Sequence, residues 1–536
     1  MNRALHLSLM ILMPLVFVAL AQVWADFILD DSYVTYRFSE NLVFHHDLTW
    51  NLGEDPVEGF TSFSWMLVNA LGLAIGLSAV VTSQAVSLAS VVCMIVMLAL
   101  HSRHLPALLS ISLVAAIGLS PVMMLNATQG METAFAGLLI FLSVWAAFRF
   151  LETQRTGAAA CWLTLSFLSL TTRPDAALFQ IPVVLVIVAQ MALQKDWKAI
   201  RTILLVGTPL VIAGVAYVAL RWNYFGYPLP NAFYIKGATD HFRFTGAGYV
   251  ADFLVWQLGP YILLGLGLVI AAIRQTKGLV AKQLPVWIGI AVFLAYLMTI
   301  RPVQGHMYRF AVPVFPAAIL SIAWLAQDLS ARDLLPSPKG SVRIALIAFL
   351  AMLTVWPLKD WGSASRAILI RSHVDRVLAG EALRGLNGRM FVTEAGALPY
   401  FSQWTSIDSI GLTDEAIAHR GELTTDRIAE FSPDLIMGLY FTPVRLDRDA
   451  AMLSYMQTQG FQVVAANYKT NFPIDGNRSQ SVHIYFANPA SAIFDEITTR
   501  LNSYEGVAHM SADELTSLSD GSLPIAISAN MGNPPQ

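Results

Sequence analysis

Phe63-Ser64-Trp65-Met66-Leu67-Val68-Asn69-Ala70-Leu71-Gly72-Leu73-Ala74-Ile75-Gly76-Leu77-Ser78-Ala79 is an apolar stretch a little short of the roughly 20 residues that carry an α-helix across a bilayer. Whether it crosses decides the topology. Eleven other apolar runs of near-spanning length flank it, at residues 7–25, 83–101, 105–120, 134–151, 157–172, 176–193, 202–220, 252–273, 284–300, 310–328 and 341–357. One extra crossing would exchange the faces of every later loop. Basic residues arbitrate, because short cytoplasmic loops carry an excess of Lys and Arg. If 63–79 does not cross, 13 of the 20 Lys and Arg in residues 1–358 fall on the cytoplasmic side and seven outside; if it crosses, the numbers reverse. We therefore expect this stretch to dock on, or dip into, the outer face. The N-terminus is then cytoplasmic and the region after the last run extracytoplasmic.

Composition agrees with this frame. Of the 536 residues, 56% are hydrophobic and 13% charged, with a mean hydropathy of +0.57, whereas soluble domains carry about 25% charged residues. A single soluble globule is excluded, and a polytopic α-helical membrane protein with about eleven spans plus juxtamembrane helices is expected. The run at 7–25 follows Arg3, but Val23-Trp24-Ala25 is a poor small-residue cleavage site, so it reads as a retained anchor. Charge divides the chain: residues 1–358 hold 20 basic and 16 acidic side chains, and residues 359–536 hold 13 and 20, net +4 and −7 within the overall −3. The second part reads as a soluble acidic domain. No basic stripe suggests nucleic acid. Cys93 and Cys161 both lie inside apolar runs, which makes a disulfide framework or thiolate metal site an unlikely use of them.

On the chosen topology, five polar segments share the outer face: 26–62, 121–133, 172–176, 221–251 and 301–309. Function is sought there. Half of the 16 acidic residues of the membrane part fall between Asp26 and Glu58. Asp30 and Asp31 open a segment in which Tyr33, Tyr36 and Phe38 supply an aromatic surface, and an amphipathic helix along the membrane follows from that pattern. The plainer reading of the two Asp residues is a helix N-cap with a solvated neighbour. Beside a membrane they could instead accept a proton from an attacking hydroxyl or hold a divalent cation, Mg or Mn, through their oxygens.

Asp30-Asp31-Ser32-Tyr33-Val34-Thr35-Tyr36-Arg37-Phe38, Trp50-Asn51 and Glu58-Gly59-Phe60-Thr61-Ser62 together resemble the first extracytoplasmic loop of the mycobacterial terminal β-(1→2)-arabinofuranosyltransferase family, within the GT-C glycosyltransferases. Further segments fit the same resemblance: Gln129-Gly130-Met131-Glu132-Thr133, Thr172-Arg173-Pro174-Asp175, the run Tyr224 to Lys236 containing Leu229-Pro230-Asn231-Ala232-Phe233-Tyr234, Gly305-His306-Met307-Tyr308-Arg309-Phe310, and Thr393-Glu394-Ala395-Gly396-Ala397-Leu398. It spans residues 20 to 420. The resemblance implies an inverting glycosyltransferase of the bacterial inner membrane. Such an enzyme moves a sugar, a pentofuranose such as arabinose in the nearest family, from a polyprenyl-phosphate donor to an envelope glycan or glycolipid. It implies the catalytic role for Asp30 or Asp31.

An anionic leaving group needs cationic partners. His306 and Arg309, three apart on one expected helix face, are candidates for the donor phosphate, with Arg173, Lys236 and Arg221 beside them; interfacial snorkelling is the alternative for each. Tyr33, Arg37, Glu58, Glu132, Asp175 and Asn231 are candidate substrate contacts. Glu132 could equally cap a helix, and Arg173 could simply pair with Asp175.

From about residue 380 short β-rich runs alternate with helical ones, at 389–393, 406–409, 434–440, 461–468 and 482–487, which predicts a small α/β domain over 359–505. Glu394-Ala395-Gly396-Ala397 lacks a nucleotide fingerprint. Residues 506–536, rich in Ser, Asp, Asn, Gly and Pro, are expected to be weakly ordered. Two other classes remain: a lipid or glycan transporter, whose spans should carry deep charges or broken repeats, and a non-catalytic envelope-assembly protein.

Overall fold

The computed structural model describes residues 3–237, 244–273, 277–300, 306–335, 339–370, 374–420, 423–468, 481–507, 509–519 and 523–531. Its membrane part begins with α1 (Arg3–Ala21), α2 (Asp30–Glu40) and α3 (Phe63–Ala74). The bundle continues through α4 (Ala79–His101), α5 (Ala107–Gly118), α6 (Pro121–Thr128), α7 (Thr133–Thr153), α8 (Thr156–Thr172), α9 (Ala177–Leu193) and α10 (Trp197–Phe225). It is completed by α11 (Asn231–Gly237), α12 (Ala247–Asp252), α13 (Gly259–Ile273), α14 (Lys277–Thr299), α15 (Phe315–Ser330), α16 (Gly340–Val355) and α17 (Trp361–Ile370). Among the described residues, nine helical stretches are long and apolar enough to cross a membrane. The two remaining runs form α1, of 19 residues, and α8, of 17. This is a multi-pass membrane protein.

The stretch at 63–79 does not cross the bundle. As α3 it has 12 residues, a rise of about 18 Å at 1.5 Å per residue. The starts of α3 and α4 meet around one group: the Tyr36 hydroxyl bonds Ser83 Oγ, near the start of α4, at 2.6 Å and donates to the Gly130 carbonyl at 3.3 Å. That carbonyl also accepts from Trp65 Nε1, at the start of α3, at 3.1 Å. The entries of α3 and α4 therefore lie at one end of the bundle. Gly72 lets the two helices close together, since a Cβ there would strike the Thr82 side chain. Ser78 starts α4 by accepting from the Val81 amide.

The last spanning stretch runs on to Ser365, so the membrane part extends past the expected boundary at 358. Beyond it, α18 (Val374–Leu383) leads into a six-stranded sheet: β1 (Arg389–Val392), β2 (Thr405–Asp408), β3 (Leu435–Phe441), β4 (Gln462–Tyr468), β5 (Ser481–Ala487) and β6 (Ala526–Ile527), ordered β2-β1-β3-β5-β4-β6. β1 runs parallel to β2 and β3, while β5 runs antiparallel to β3 and β4. The hydrophobic runs β3 to β5 are buried along most of their length, as expected for strands covered on both faces.

The expected weak order beyond 506 does not hold for the described residues of that stretch. Residues Ala512–Leu518 form a helix and β6 pairs with β4. Met510, Leu515, Ile525 and Met531 are buried in the core on one side of the sheet. Composition misled because a few well-spaced apolar residues suffice to anchor a polar tail to an existing hydrophobic face.

In a variant with Cys93 and Cys161 replaced by Ala, single cysteines at Gly76 and Gly53 should react with a membrane-impermeant maleimide from the side that labels a cysteine at Gln457. Labelling of position 76 from the opposite side would mean that α3 crosses.

Candidate functional site

Helix α2 carries both candidate carboxylates in its first turn, and the surrounding structure separates them. Asp30 faces the C-terminal domain. Its Oδ1 accepts from the Ala397 amide at 2.8 Å and pairs with Arg376 Nη1 at 3.0 Å, while Oδ2 accepts from the Gly396 amide at 3.2 Å. Burial pushes the Asp30 carboxyl above the ordinary range, with Arg376 opposing it. Gly396 must be glycine for this approach, because a Cβ would land on the Asp30 carbonyl and carboxylate.

Asp31, one-third exposed, points to the membrane part. Its Oδ2 meets Arg309 Nη2 at 3.2 Å, and the Arg309 side chain is only 6% exposed. Among the described residues Arg309 Nε and Nη1 have no hydrogen-bond partner. A buried guanidinium with donors to spare is costly unless an acceptor arrives, which makes Arg309 a candidate anion contact at this end of the bundle. It does not share a helix face with His306. The chain turns there through Met307 at φ 47° and Tyr308 at φ 55°, and the Phe310 amide is held by the Tyr249 hydroxyl at 3.1 Å. Residues in the left-handed region do not continue a right-handed helix. The side chains of His306 and Lys236 lie outside the described residues.

The other expected phosphate cations are already engaged. Arg173 donates from Nε and Nη2 to Asp175 at 3.0 and 2.7 Å and from Nη1 to Glu132 at 2.9 Å. Burial works against its charge, but the two carboxylates outweigh that and raise its pKa. Arg221 forms a bidentate pair with Glu58. The buried Glu58 carboxyl is pushed up by desolvation, which Arg221 opposes. These arginines brace helix ends: Arg173 and Asp175 at the α8–α9 turn to Glu132 before α7, and α10 to the first loop.

Three expected substrate contacts turn out to be docking residues. The buried Arg37 donates from Nε to the Trp50 carbonyl at 2.9 Å, from Nη1 to the Pro399 carbonyl at 2.9 Å, and from Nη2 to the Trp404 carbonyl at 2.9 Å and Asn51 Oδ1 at 3.3 Å. Burial lowers its pKa to about 10. Asn231 Nδ2 donates to the Gly411 and Leu412 carbonyls. Tyr33 packs among Tyr36, Tyr400 and Phe401 with ring centroids 5.2 to 5.5 Å apart. Trp50 and Asn51 complete the joint through the backbone of Ser406.

Both Asp30 oxygens are taken by amides and Arg376, Asp31 meets Arg309, and among the described residues no group of three or more His, Cys, Asp or Glu could hold a metal ion.

Sequence reasoning did not single out Arg376, Gly396 or His483 as site residues. Glu394 and Gly396 lie inside a motif of the resemblance, but their partners are distant in the chain: Gly396 meets Asp30, 366 residues away, and Glu394 meets His483, 89 residues away.

The helical bundle, the juxtamembrane α2 and α3, and a sheet domain seated on the first loop match known structures over most of the chain. ArnT from Cupriavidus metallidurans bound to undecaprenyl phosphate aligns with 89% of this chain and 98% of its own at a TM-score of 0.57 and 14% identity. The fold is that of the GT-C glycosyltransferases. The apo state of the same ArnT gives a TM-score of 0.55 at 15% identity, again over 89% and 98% of the two chains. The apo Archaeoglobus fulgidus oligosaccharyltransferase gives 0.52 at 11% identity, covering 92% of this chain and 75% of that one. Residues 370–485 match a family described as a domain of unknown function, DUF8728, which takes in α18, the first four strands and most of β5. No curated protein matches the sequence.

The two carboxylates should differ in stability tests. Asp30→Asn leaves the buried Arg376 short of a counter-charge and is expected to cost about 3–5 kcal/mol, whereas Asp31→Asn at a partly exposed pair should cost about 1 kcal/mol or less. Gly396→Ala should behave like Asp30→Asn. Thermal unfolding in detergent measures all three; equal losses for the two Asp variants would refute the division.

Proposed function

We propose that this protein is an inverting glycosyltransferase that takes a sugar from a polyprenyl-phosphate donor and places it on an envelope glycan or glycolipid acceptor outside the cytoplasm. The observation that carries the reading is the contact between Asp31 and Arg309: a partly exposed carboxylate sits beside a buried guanidinium whose Nε and Nη1 have no hydrogen-bond partner among the described residues. Asp31 accepts the proton of the acceptor hydroxyl as its oxygen attacks the anomeric carbon. The bond from that carbon to the phosphate oxygen breaks, and the phosphate leaves with the electron pair, stabilised by Arg309. A single displacement inverts the anomeric centre. The GT-C fold supports the reaction class, as does the undecaprenyl phosphate bound by ArnT.

The finer assignments rest on the sequence. The resemblance of the first loop to the arabinofuranosyltransferase family favours a pentofuranose donor. The excess of Lys and Arg in the loops at the far end of the bundle supports a cytoplasmic N-terminus with the sheet domain outside, and the family resemblance supports the bacterial inner membrane. Asp30 in this reading anchors α2 rather than serving as the base.

Sugar transfer in nanodiscs, from synthetic polyprenyl-phosphate pentoses and hexoses to envelope-extract acceptors, tests the proposal. Asp31→Asn should lower kcat by about 10²- to 10⁴-fold and Arg309→Ala by about 10²- to 10³-fold, both remaining folded. Unchanged transfer by folded Asp31→Asn removes Asp31 as the base. Absence of transfer by wild type from every donor would return weight to a transporter or assembly role.

A further inference from the structure

His483 lies in the middle of β5 and is fully buried, with each ring nitrogen facing a carboxylate. Nδ1 contacts Asp375 Oδ2 and Nε2 lies 2.8 Å from Glu394 Oε2. A neutral imidazole has one donor and one acceptor nitrogen, so it cannot donate to both carboxylates; an imidazolium can. The same Glu394 Oε2 lies 2.7 Å from Arg376 Nη1, which reaches Asp30 Oδ1 at 3.0 Å. Asp375, His483, Glu394, Arg376 and Asp30 thus form one unbroken series of alternating charge. It runs from the buried centre of the sheet domain to the first turn of α2, where Asp31 is the next residue.

We propose that His483 is a positioning residue: as a double donor it fixes Glu394 against Arg376, Arg376 then fixes Asp30, and the first turn of α2 with Asp31 is held in register with the domain. The consequence for turnover rests on the reading of Asp31 given above, while the docking itself does not. Loss of one ring proton turns a nitrogen lone pair towards Asp375 Oδ2 or Glu394 Oε2 at hydrogen-bond distance. Either contact is repulsive, and the two carboxylates flank Arg376 in sequence or in space.

The groups acting on His483 are Asp375 and Arg376 from α18 and Glu394 from the turn after β1, while Tyr485 from its own strand and Tyr504 after the helix Phe494–Ser503 act on Asp375. On the neighbouring strands it pairs with Leu439 and Asn467, which carry no charge. Burial lowers the pKa of the ring, but Asp375 and Glu394 outweigh burial and the opposing Arg376, and the pKa is raised. For a histidine so shifted the stabilisation is complete below about pH 6.5 and is lost as pH rises through the raised value. The dock should therefore loosen on the alkaline side.

Hydrogen exchange of the full-length protein in nanodiscs tests this without any substrate. After correction for intrinsic rates, protection of the amides of Gly396 and Ala397 and of the first turn of α2 should fall in wild type as pH rises above about 6.5. In His483→Gln these amides should exchange about tenfold faster than wild type at pH 6, with the pH step gone, while the β3–β5 ladder stays protected. Should His483→Gln disturb that ladder, Glu394→Gln, at the partly exposed middle of the series, should give the same local loosening with the strands intact. Equal protection of 396–397 in wild type and variant, or a pH step that survives in both variants, overturns the proposal. Where transfer is measurable, His483→Gln should lower kcat with KM unchanged and flatten the alkaline limb of the pH profile. Loss of the exchange effect with transfer intact refutes the positioning role alone; an intact exchange effect with no transfer by wild type refutes the reaction alone.

Discussion

The union of the first loop with the sheet domain is the constraint on which the rest of the structure depends, and the buried Arg37 is its centre. One guanidinium donates to the backbone of Trp50 on its own loop and to Pro399 and Trp404 on the domain. A charge so far from water is tolerated only because nearly every donor has an acceptor. Around it Phe38, Trp50, Phe60, Met66, Phe225 and Ala395 make a small apolar core shared by α2, α3, α10 and the domain. Position at the mouth of the bundle is thereby transmitted through rigid contacts and not through a tether.

That union explains why two adjacent carboxylates have different environments. Successive residues in a helix point about 100° apart, so one side chain of the Asp30-Asp31 pair faces the domain while the other faces the bundle. Asp30 is drawn into backbone amides and Arg376; Asp31 is left partly exposed against Arg309. The same economy governs the arginines. Those that look like free cations in the sequence, Arg173 and Arg221, are paired with Glu132, Asp175 and Glu58, because helix ends at a membrane surface gather both signs of charge and pairing is the low-energy outcome.

Much of the architecture was legible because its signals are local. Hydrophobic length marks the spans, and all eleven expected runs became helices. The five expected strands appear within a few residues of their places, since β-branched and aromatic runs between turn residues are a local pattern. β6 was not legible: a two-residue strand has no periodicity, and its place is set by the edge of β4. The non-crossing of α3 was legible only through the distribution of Lys and Arg around it. Its physical basis, the shared contacts of Tyr36 with Ser83 and Gly130, is tertiary.

The sequence by itself determined a membrane bundle, a face on which polar residues gather, a following α/β domain and the short list of charged residues at that face. Each of these depends on solvation and on periodicity within a segment, which composition and spacing record directly. Only the tertiary structure decided which of those charges remain available. Availability is a matter of pairing across hundreds of residues, as between Asp30 and Arg376 or between His483 and Glu394, and a pair removes both members from service in a way that neither neighbourhood in the chain foretells.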